Sequence, residues 1–335
     1  MTNFYQRKLA EGRAILAPMA GFTDAPMRKL CREYGSAYAV TEMVSAKGLV
    51  QGNLRGVEIG EPYMGEPDLV IQVFGGEPEV TAAGARILYE QYRPEAIDLN
   101  MGCPVKKVTG KSCGSKLMLD PQRAAAIIRA LKAALPVPVS AKLRLGYDAV
   151  NITEVGLALQ EAGVDLIAVH GRTAQQKYTG EADWDAIQRV AETLTVPVVG
   201  SGDVRTPEQF RRHQQSRLGV MVARGAVGQP WLFALLQGKS EPSQTEKVRT
   251  AYRHAELHVA WYGGETPARE VWAVRSLRGQ LIKYFAFLDK RKEVAQLSTL
   301  AEIRAFIERY LGLKLEPDPE ARTFCRNAQQ QRRLA

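Results

Sequence analysis

Cys103 stands between Gly102 and Pro104 in the stretch LNMGCPVKKVTG, directly after a short apolar run and before Lys106 and Lys107. A thiol in that setting can be a small core residue at a turn, a metal ligand, half of a disulfide, or a group that moves a proton or attacks an electrophile. Four cysteines (Cys31, Cys103, Cys113, Cys325) in 335 residues are too few for a disulfide scaffold, and none forms a C-x-x-C pair. Four histidines, with no metal-ligand spacing read among them, predict no metal centre. A turn residue and a chemically active thiol remain.

Other chemistry-bearing residues also follow short apolar runs. They are Pro18-Met19-Ala20, Glu42, Gln72, Asn100, Lys142 with Arg144, His170 with Arg172, Ser201-Gly202-Asp203 and Ala223-Arg224-Gly225. One polar residue after a strand is usually a turn, but recurrence at nearly every run points to a shared site. The last two turns, GSGDVRT and VARGAVG, offer glycine N–H groups and Arg224 to a phosphate, a signal that is weak when taken alone.

The elements that position these residues are eight β-rich runs. They begin at Ala14 (AILAPM), Ala37 (AYAVTEM), Leu69 (LVIQVF), Ala96 (AIDLNM), Val137 (VPVSAKL), Asp165 (DLIAVH), Val196 (VPVVGS) and Leu218 (LGVMVA). Each is followed by a turn and a segment of helical periodicity. Continuous apolarity fits strands covered on both faces, and the alternation predicts a parallel sheet. Eight βα units in this length predict a (β/α)8 TIM barrel over residues 1–239, with its active site at the C-terminal ends of the strands.

After SEPSQ (Ser240–Gln244), read as a linker, the pattern is wholly helical, predicting a small all-helical domain over 245–335. Its expected helices include one from Val271 that ends in a basic cluster at Lys290, Arg291 and Lys292. A second carries Ile303, Phe306, Ile307, Tyr310 and Leu311 on one face, with Gly312 as its stop. The tail beyond Pro319 reads as a helix or a partly disordered segment. Net charge is +9, and residues 245–335 hold 17 Lys/Arg against 11 Asp/Glu, so most of the excess lies there. Such asymmetry suits a polyanion partner, although a solvated basic face reads the same way. No apolar run reaches membrane-span length and the start MTNFYQRKLAEGR lacks a secretory signal, so a cytoplasmic protein without membrane contact is expected.

The stretches APMAGFTDAPMR, TEMVSAKGL, QVFG, DLNMGCPVKKVTGKSCGSKLM, AKLRLG, VHGRTAQQKYTGEADW, GSGDV and ARGAVGQPWLF together resemble the tRNA-dihydrouridine synthases, most closely their bacterial B-type branch. The resemblance implies an FMN-binding barrel that reduces the C5=C6 bond of tRNA uridines, expected in the D-loop, with NADPH as reductant. It implies that Pro18, Met19 and Ala20 line the flavin, that Gln72 hydrogen-bonds its ring, and that Lys142 faces its pyrimidine-like edge. His170 would sit near the flavin or its phosphate, with Ser201, Gly202, Asp203, Ala223 and Arg224 completing the FMN set. Asp203 cannot attract a phosphate, so its expected role is ribityl binding or loop geometry.

Cys103 would be the proton donor to uracil C5; an unperturbed thiol, with a pKa of about 8.5, is mostly protonated at neutral pH. Asn100, Arg144, Arg172, Lys106, Lys107, Arg275 and Arg278 would contact the tRNA substrate, whose buried uridine must be extruded to reach the barrel. Three residues depart from the family pattern: Ser201 for Asn, Ala223 for Gly, and Cys113 for a smaller residue. A monomer without metal is expected. Two rivals stay open, an FMN barrel acting on a free pyrimidine and a non-catalytic RNA-binding protein.

Overall fold

The computed structural model describes residues 2–53, 58–214, 218–263 and 266–324. Its strands are β1 (Ile15–Leu16), β2 (Ala39–Val40), β3 (Val44–Ser45), β4 (Leu69–Phe74), β5 (Ala96–Met101), β6 (Val139–Arg144), β7 (Leu166–His170), β8 (Val198–Ser201) and β9 (Leu218–Val222). All pair in parallel, and the order β1–β2–β4–β5–β6–β7–β8–β9 returns to β1, closing the predicted eight-stave barrel.

The run from Ala37 makes two segments on one stave. Val40 pairs with Val70 but Val44 pairs with Val73, so the stave carries an extra residue opposite β4. Thr41 fills the gap in the ladder, its Oγ1 accepting the Gln72 N–H at 3.1 Å.

Strand residues alternate between two environments. Ile71, Val73, Ile97, Leu99, Val139, Ala141, Leu143, Ile167 and Val169 pack outward against the helices. The intervening positions point inward, where Val70, Ala96, Leu166, Ala168, Val199 and Met221 form the apolar lower core. Gln72, Asp98, Asn100, Ser140, Lys142, Arg144 and His170 hold the inward positions above it, in the period of two that a strand imposes.

The N-terminal end is closed by the helix Phe4–Ala10, which no sequence pattern announced. Asn3 and Gln6 form its capping box, and Phe4 packs edge-on against both Tyr5 and Tyr38 in the barrel floor.

The helical region begins at Gln244–Tyr262, capped by a Ser243–Glu246 capping box, so SEPSQ stops being linker at Ser243. The next helix is Pro267–Tyr284. It starts earlier than expected, where Thr266 caps it and Pro267 opens it, and ends sooner, where Phe285 is buried and Asp289 takes a left-handed conformation (φ 50°). The basic cluster therefore falls in a separate turn, Arg291–Val294. Helix Leu300–Leu311 follows its predicted face and stops at Gly312 (φ 64°). A short helix, Pro319–Thr323, opens the tail, while Cys325 and the remainder lie outside the described residues. Among the described residues no helix is long and apolar enough to cross a membrane.

Candidate active site

The barrel mouth opens into a cavity of about 920 Å³ lined by Pro18, Met19, Ala20, Gln72, Asn100, Cys103, Lys106, Lys142, Arg144, His170, Ser201, Gly202, Asp203, Ala223 and Arg224. Register explains the convergence. Asn100 pairs with Lys142, Arg144 with His170, and His170 with Ser201, so neighbouring staves bring these side chains to one level.

A buried hydrogen-bond chain runs up the interior to Cys103. Tyr5 OH donates to Ser140 Oγ (2.7 Å), which donates to Asp98 Oδ1 (2.5 Å). Gln72 Nε2 donates to Asp98 Oδ2 (2.7 Å), and Asn100 Nδ2 donates to Gln72 Oε1 (2.8 Å). Asn100 Oδ1 then accepts the N–H groups of Cys103 (3.0 Å) and Gly102 (3.3 Å). The Asp98 carboxylate can only accept when ionised, so it fixes the orientation of both amides above it. Burial pushes the Asp98 carboxyl up, opposed by the Gln72 and Ser140 hydrogen bonds and by Lys142.

The Cys103 turn is also held from behind. Ser115 N donates to the Cys103 carbonyl (3.1 Å), and a Cβ at Gly114 would meet that oxygen at 2.8 Å. Cys113, the departure from the family pattern, is a buried packing residue whose Sγ lies 3.2 Å from Lys111 O.

Lys142 makes no hydrogen bond or ion pair among the described residues. Burial and the Arg144 cation lower its pKa from 10.5 to about 8, with Asp98 opposing. Burial and the cations Lys142, Arg144, Arg172 and Arg224 push His170 down to about 2, leaving it neutral. Arg172 Nη1 can only donate, so His170 Nε2, 3.3 Å away, accepts and the ring proton sits on Nδ1.

Arg144 donates to the carbonyls of Gly102 (2.8 Å), Thr173 (2.8 Å) and Lys177 (2.9 Å) while facing the cavity. Asp203 is an organiser of the phosphate-type turn. It ion-pairs with Arg172 (2.6 Å) and Arg224 (3.3 Å) and accepts Ala182 N (3.0 Å). Gly202 has φ 138°, and a Cβ there would lie 2.4 Å from that of Ala182.

Four predicted substrate contacts lie apart from the cavity lining. Arg172 is buried behind it, its guanidinium also bonded to the carbonyls of Thr179 and Gly180. Lys107 is exposed on the short helical turn Lys106–Thr109 that follows Cys103, and Arg275 is exposed on the helix Pro267–Tyr284. Arg278 is half-buried, donating to the carbonyls of Leu297 (2.8 Å) and Gln296 (2.9 Å).

Sequence reasoning passed over several residues of the site. Tyr178, which is exposed, lines the mouth with the Arg224 guanidinium 4.4 Å and that of Arg144 5.7 Å from its ring. The only signal was an aromatic within the QQKYTG turn. Lys283, which the sequence suggests only as one of the basic residues for RNA phosphates, reaches the same cavity from the helical region, where burial and the nearby Arg205 and Arg224 lower its pKa. The expectation of no metal-ligand spacing also needs correction: His254 and His258 lie four apart on one helix and gather with Asp24.

Comparison with known proteins follows the same outline. The family described as Dihydrouridine synthase (Dus) matches residues 15–305. The chain is 38% identical over 299 residues to tRNA-dihydrouridine synthase B of Pseudomonas syringae pv. tomato, covering 84% of this chain and 85% of that one. It is 37% identical over 310 residues to tRNA-dihydrouridine synthase B of Pseudomonas aeruginosa, covering 88% and 90%. It is 36% identical over 273 residues to the probable tRNA-dihydrouridine synthase of Rhizobium leguminosarum bv. phaseoli, covering 80% and 84%. A match that spans nearly the whole barrel and enters the helical region, with 84–90% of each of these relatives covered, places this chain in the dihydrouridine synthase family, on its B-type branch.

Proposed function

We propose that this chain is a tRNA-dihydrouridine synthase that uses FMN and NADPH to reduce the C5=C6 bond of uridine in tRNA. The observation that carries the reading is the meeting of Cys103 and the unpartnered Lys142 ammonium in one cavity at the barrel mouth. A cavity of this size suits a cofactor-sized ligand. The Gly202–Asp203 and Ala223–Arg224 turns would take the phosphate. Because Ser201 and Ala223 differ from the family only in side chain, backbone contacts there suffice. Pro18, Met19 and Ala20 would form the wall beside the rings, with Gln72 at their edge.

Bound FMN would supply the hydride for uracil C6, with NADPH restoring it. The chain's residues do the rest. Lys142 holds positive charge where negative charge develops on reduction. Asn100 holds the Cys103 turn at the mouth, and Cys103 delivers the proton to C5. Arg144, with Tyr178 beside it, flanks the opening through which an extruded base would enter. Lys106, Lys107 and Arg275 supply charge for RNA phosphates, with residues 1–239 as the catalytic part and 245–335 as the tRNA-binding part.

Purified protein should be yellow and should form dihydrouridine in unmodified tRNA with NADPH. A colourless protein, or equal activity on free uridine and on tRNA, would overturn the proposal.

A further inference from the structure

Away from the barrel mouth, Asp24, His254 and His258 form a buried polar cluster where the barrel meets the helical region. Asp24 caps the helix Ala25–Glu33, its Oδ1 accepting Met27 N at 3.1 Å. His254 and His258 project from one face of Gln244–Tyr262, four residues apart. One donor atom from each of the three lies within 4.8 Å of the others.

The surrounding hydrogen bonds define which atoms are free. Ser276 Oγ gives its single proton to Ala273 O (2.7 Å), so it must accept from His258 Nε2, 2.8 Å away. In the neutral ring His258 Nδ1 then carries only a lone pair, and it faces Asp24 Oδ2 at 2.9 Å. His254 Nδ1 is engaged by Tyr284 OH (3.0 Å), while its Nε2 is fully buried with no hydrogen-bond partner.

His254 Nε2 and His258 Nδ1, both buried without a hydrogen-bond partner, thus gather with the Asp24 carboxylate. A proton on His258 would satisfy the Nδ1–Oδ2 contact but would leave His254 Nε2 orphaned. One divalent cation would satisfy all three. We infer that Asp24 Oδ2, His254 Nε2 and His258 Nδ1 form a structural divalent-metal site, best suited to Zn²⁺, that joins the barrel to the helical region. Imidazole and carboxylate suit zinc, and the second nitrogen of each ring is held by a hydroxyl, an outer contact that would orient the ring toward an ion. Seating both atoms of the 2.9 Å contact at zinc distances widens it by about 0.4 Å, within side-chain adjustment. Such an ion would tie Asp24, one residue beyond the buried Thr23 of the cavity-wall loop, to the helix packed against Pro267–Tyr284, which carries Lys283.

The test uses full-length protein freed of metal with a chelator, then loaded with Zn²⁺ or Co²⁺ and dialysed. One Zn²⁺ should be retained per chain, and saturation should raise the melting temperature by about 5 °C. Co²⁺ should give visible d–d bands without a thiolate charge-transfer band. His254→Leu, which removes the orphaned nitrogen, should lose both retention and the temperature shift. The wild-type comparison with and without Zn²⁺ needs no variant to fold. No retained metal and no shift would overturn the site. So would a thiolate band, or a shift that persists in His254→Leu.

Discussion

Replacing Lys142 with methionine should stabilise the flavin-free protein while weakening its hold on FMN. Lys142 is an ammonium set into the cavity wall with no anionic partner, its pKa lowered from 10.5 to about 8. That lowering corresponds to a cost of about 3 kcal/mol for keeping the side chain charged in the fold. Methionine has a similar shape and no charge. Allowing for water in the cavity, urea unfolding of the flavin-stripped variant should show a gain of about 1–3 kcal/mol. The pH dependence has a definite sign. The penalty is fully present below pH 8 and is relieved as pH rises towards 10.5, because in that window the unfolded chain binds the extra proton. The stability gap between variant and wild type should therefore narrow over that window. FMN titration should show the opposite preference, a loss of about 10- to 100-fold in affinity, the range expected for a lost charged hydrogen bond. Wild-type affinity should itself fall as pH rises through 8. A variant that is less stable without flavin, or that binds FMN as tightly as wild type at neutral pH, would refute this reasoning.

Asn100→Ala should keep the flavin but slow dihydrouridine formation about 100-fold, since a turn shifted by about 1 Å misplaces the thiol; wild-type turnover would remove Asn100 from the positioning chain. Its stability cost should be about 1–3 kcal/mol, read by denaturant unfolding, for the partners left unpaired at Gln72 and Cys103. Arg275→Ala should weaken tRNA binding and reduce the slope of log affinity against log salt by about 0.7–0.9, the share of one phosphate contact. Arg278→Ala should act first on stability, lowering it by about 1–3 kcal/mol, because its guanidinium holds the Gln296 and Leu297 carbonyls; unchanged unfolding would place it with Arg275 as an exposed charge.

The barrel was legible because its strands obey two overlapping patterns. Apolar residues mark the outward face, and the polar alternation of Ser140, Lys142 and Arg144, or of Asp98 and Asn100, marks the inward face at the mouth. Reading the ends of the runs therefore found the cavity residues. It did not find Asp98, which lies inside its run yet anchors the Gln72 and Asn100 amides through contacts between staves. Nor could it show the bulge at Thr41, whose hydroxyl takes a hydrogen bond that is backbone-to-backbone elsewhere in the ladder. Arg172 and Asp203 were recognised as polar strand-end residues, but their ion pair joins neighbouring turns and exists only once the barrel closes. The i, i+4 spacing of His254 and His258 was legible, but their meeting with Asp24, like the reach of Lys283 into the cavity, depends on how the helical region packs against the barrel, which no local periodicity encodes.

The most direct test of the proposed chemistry is Cys103→Ala in purified protein, with flavin absorbance, flavin reduction by NADPH and dihydrouridine in tRNA measured together. Cys103 lies at the cavity edge with its backbone held by Asn100 and Ser115, so loss of its sulfur should leave the site standing. The predicted result is retained FMN, normal reduction by NADPH, and loss of most dihydrouridine formation. Wild-type turnover in that variant would contradict the assignment of Cys103 as the proton donor.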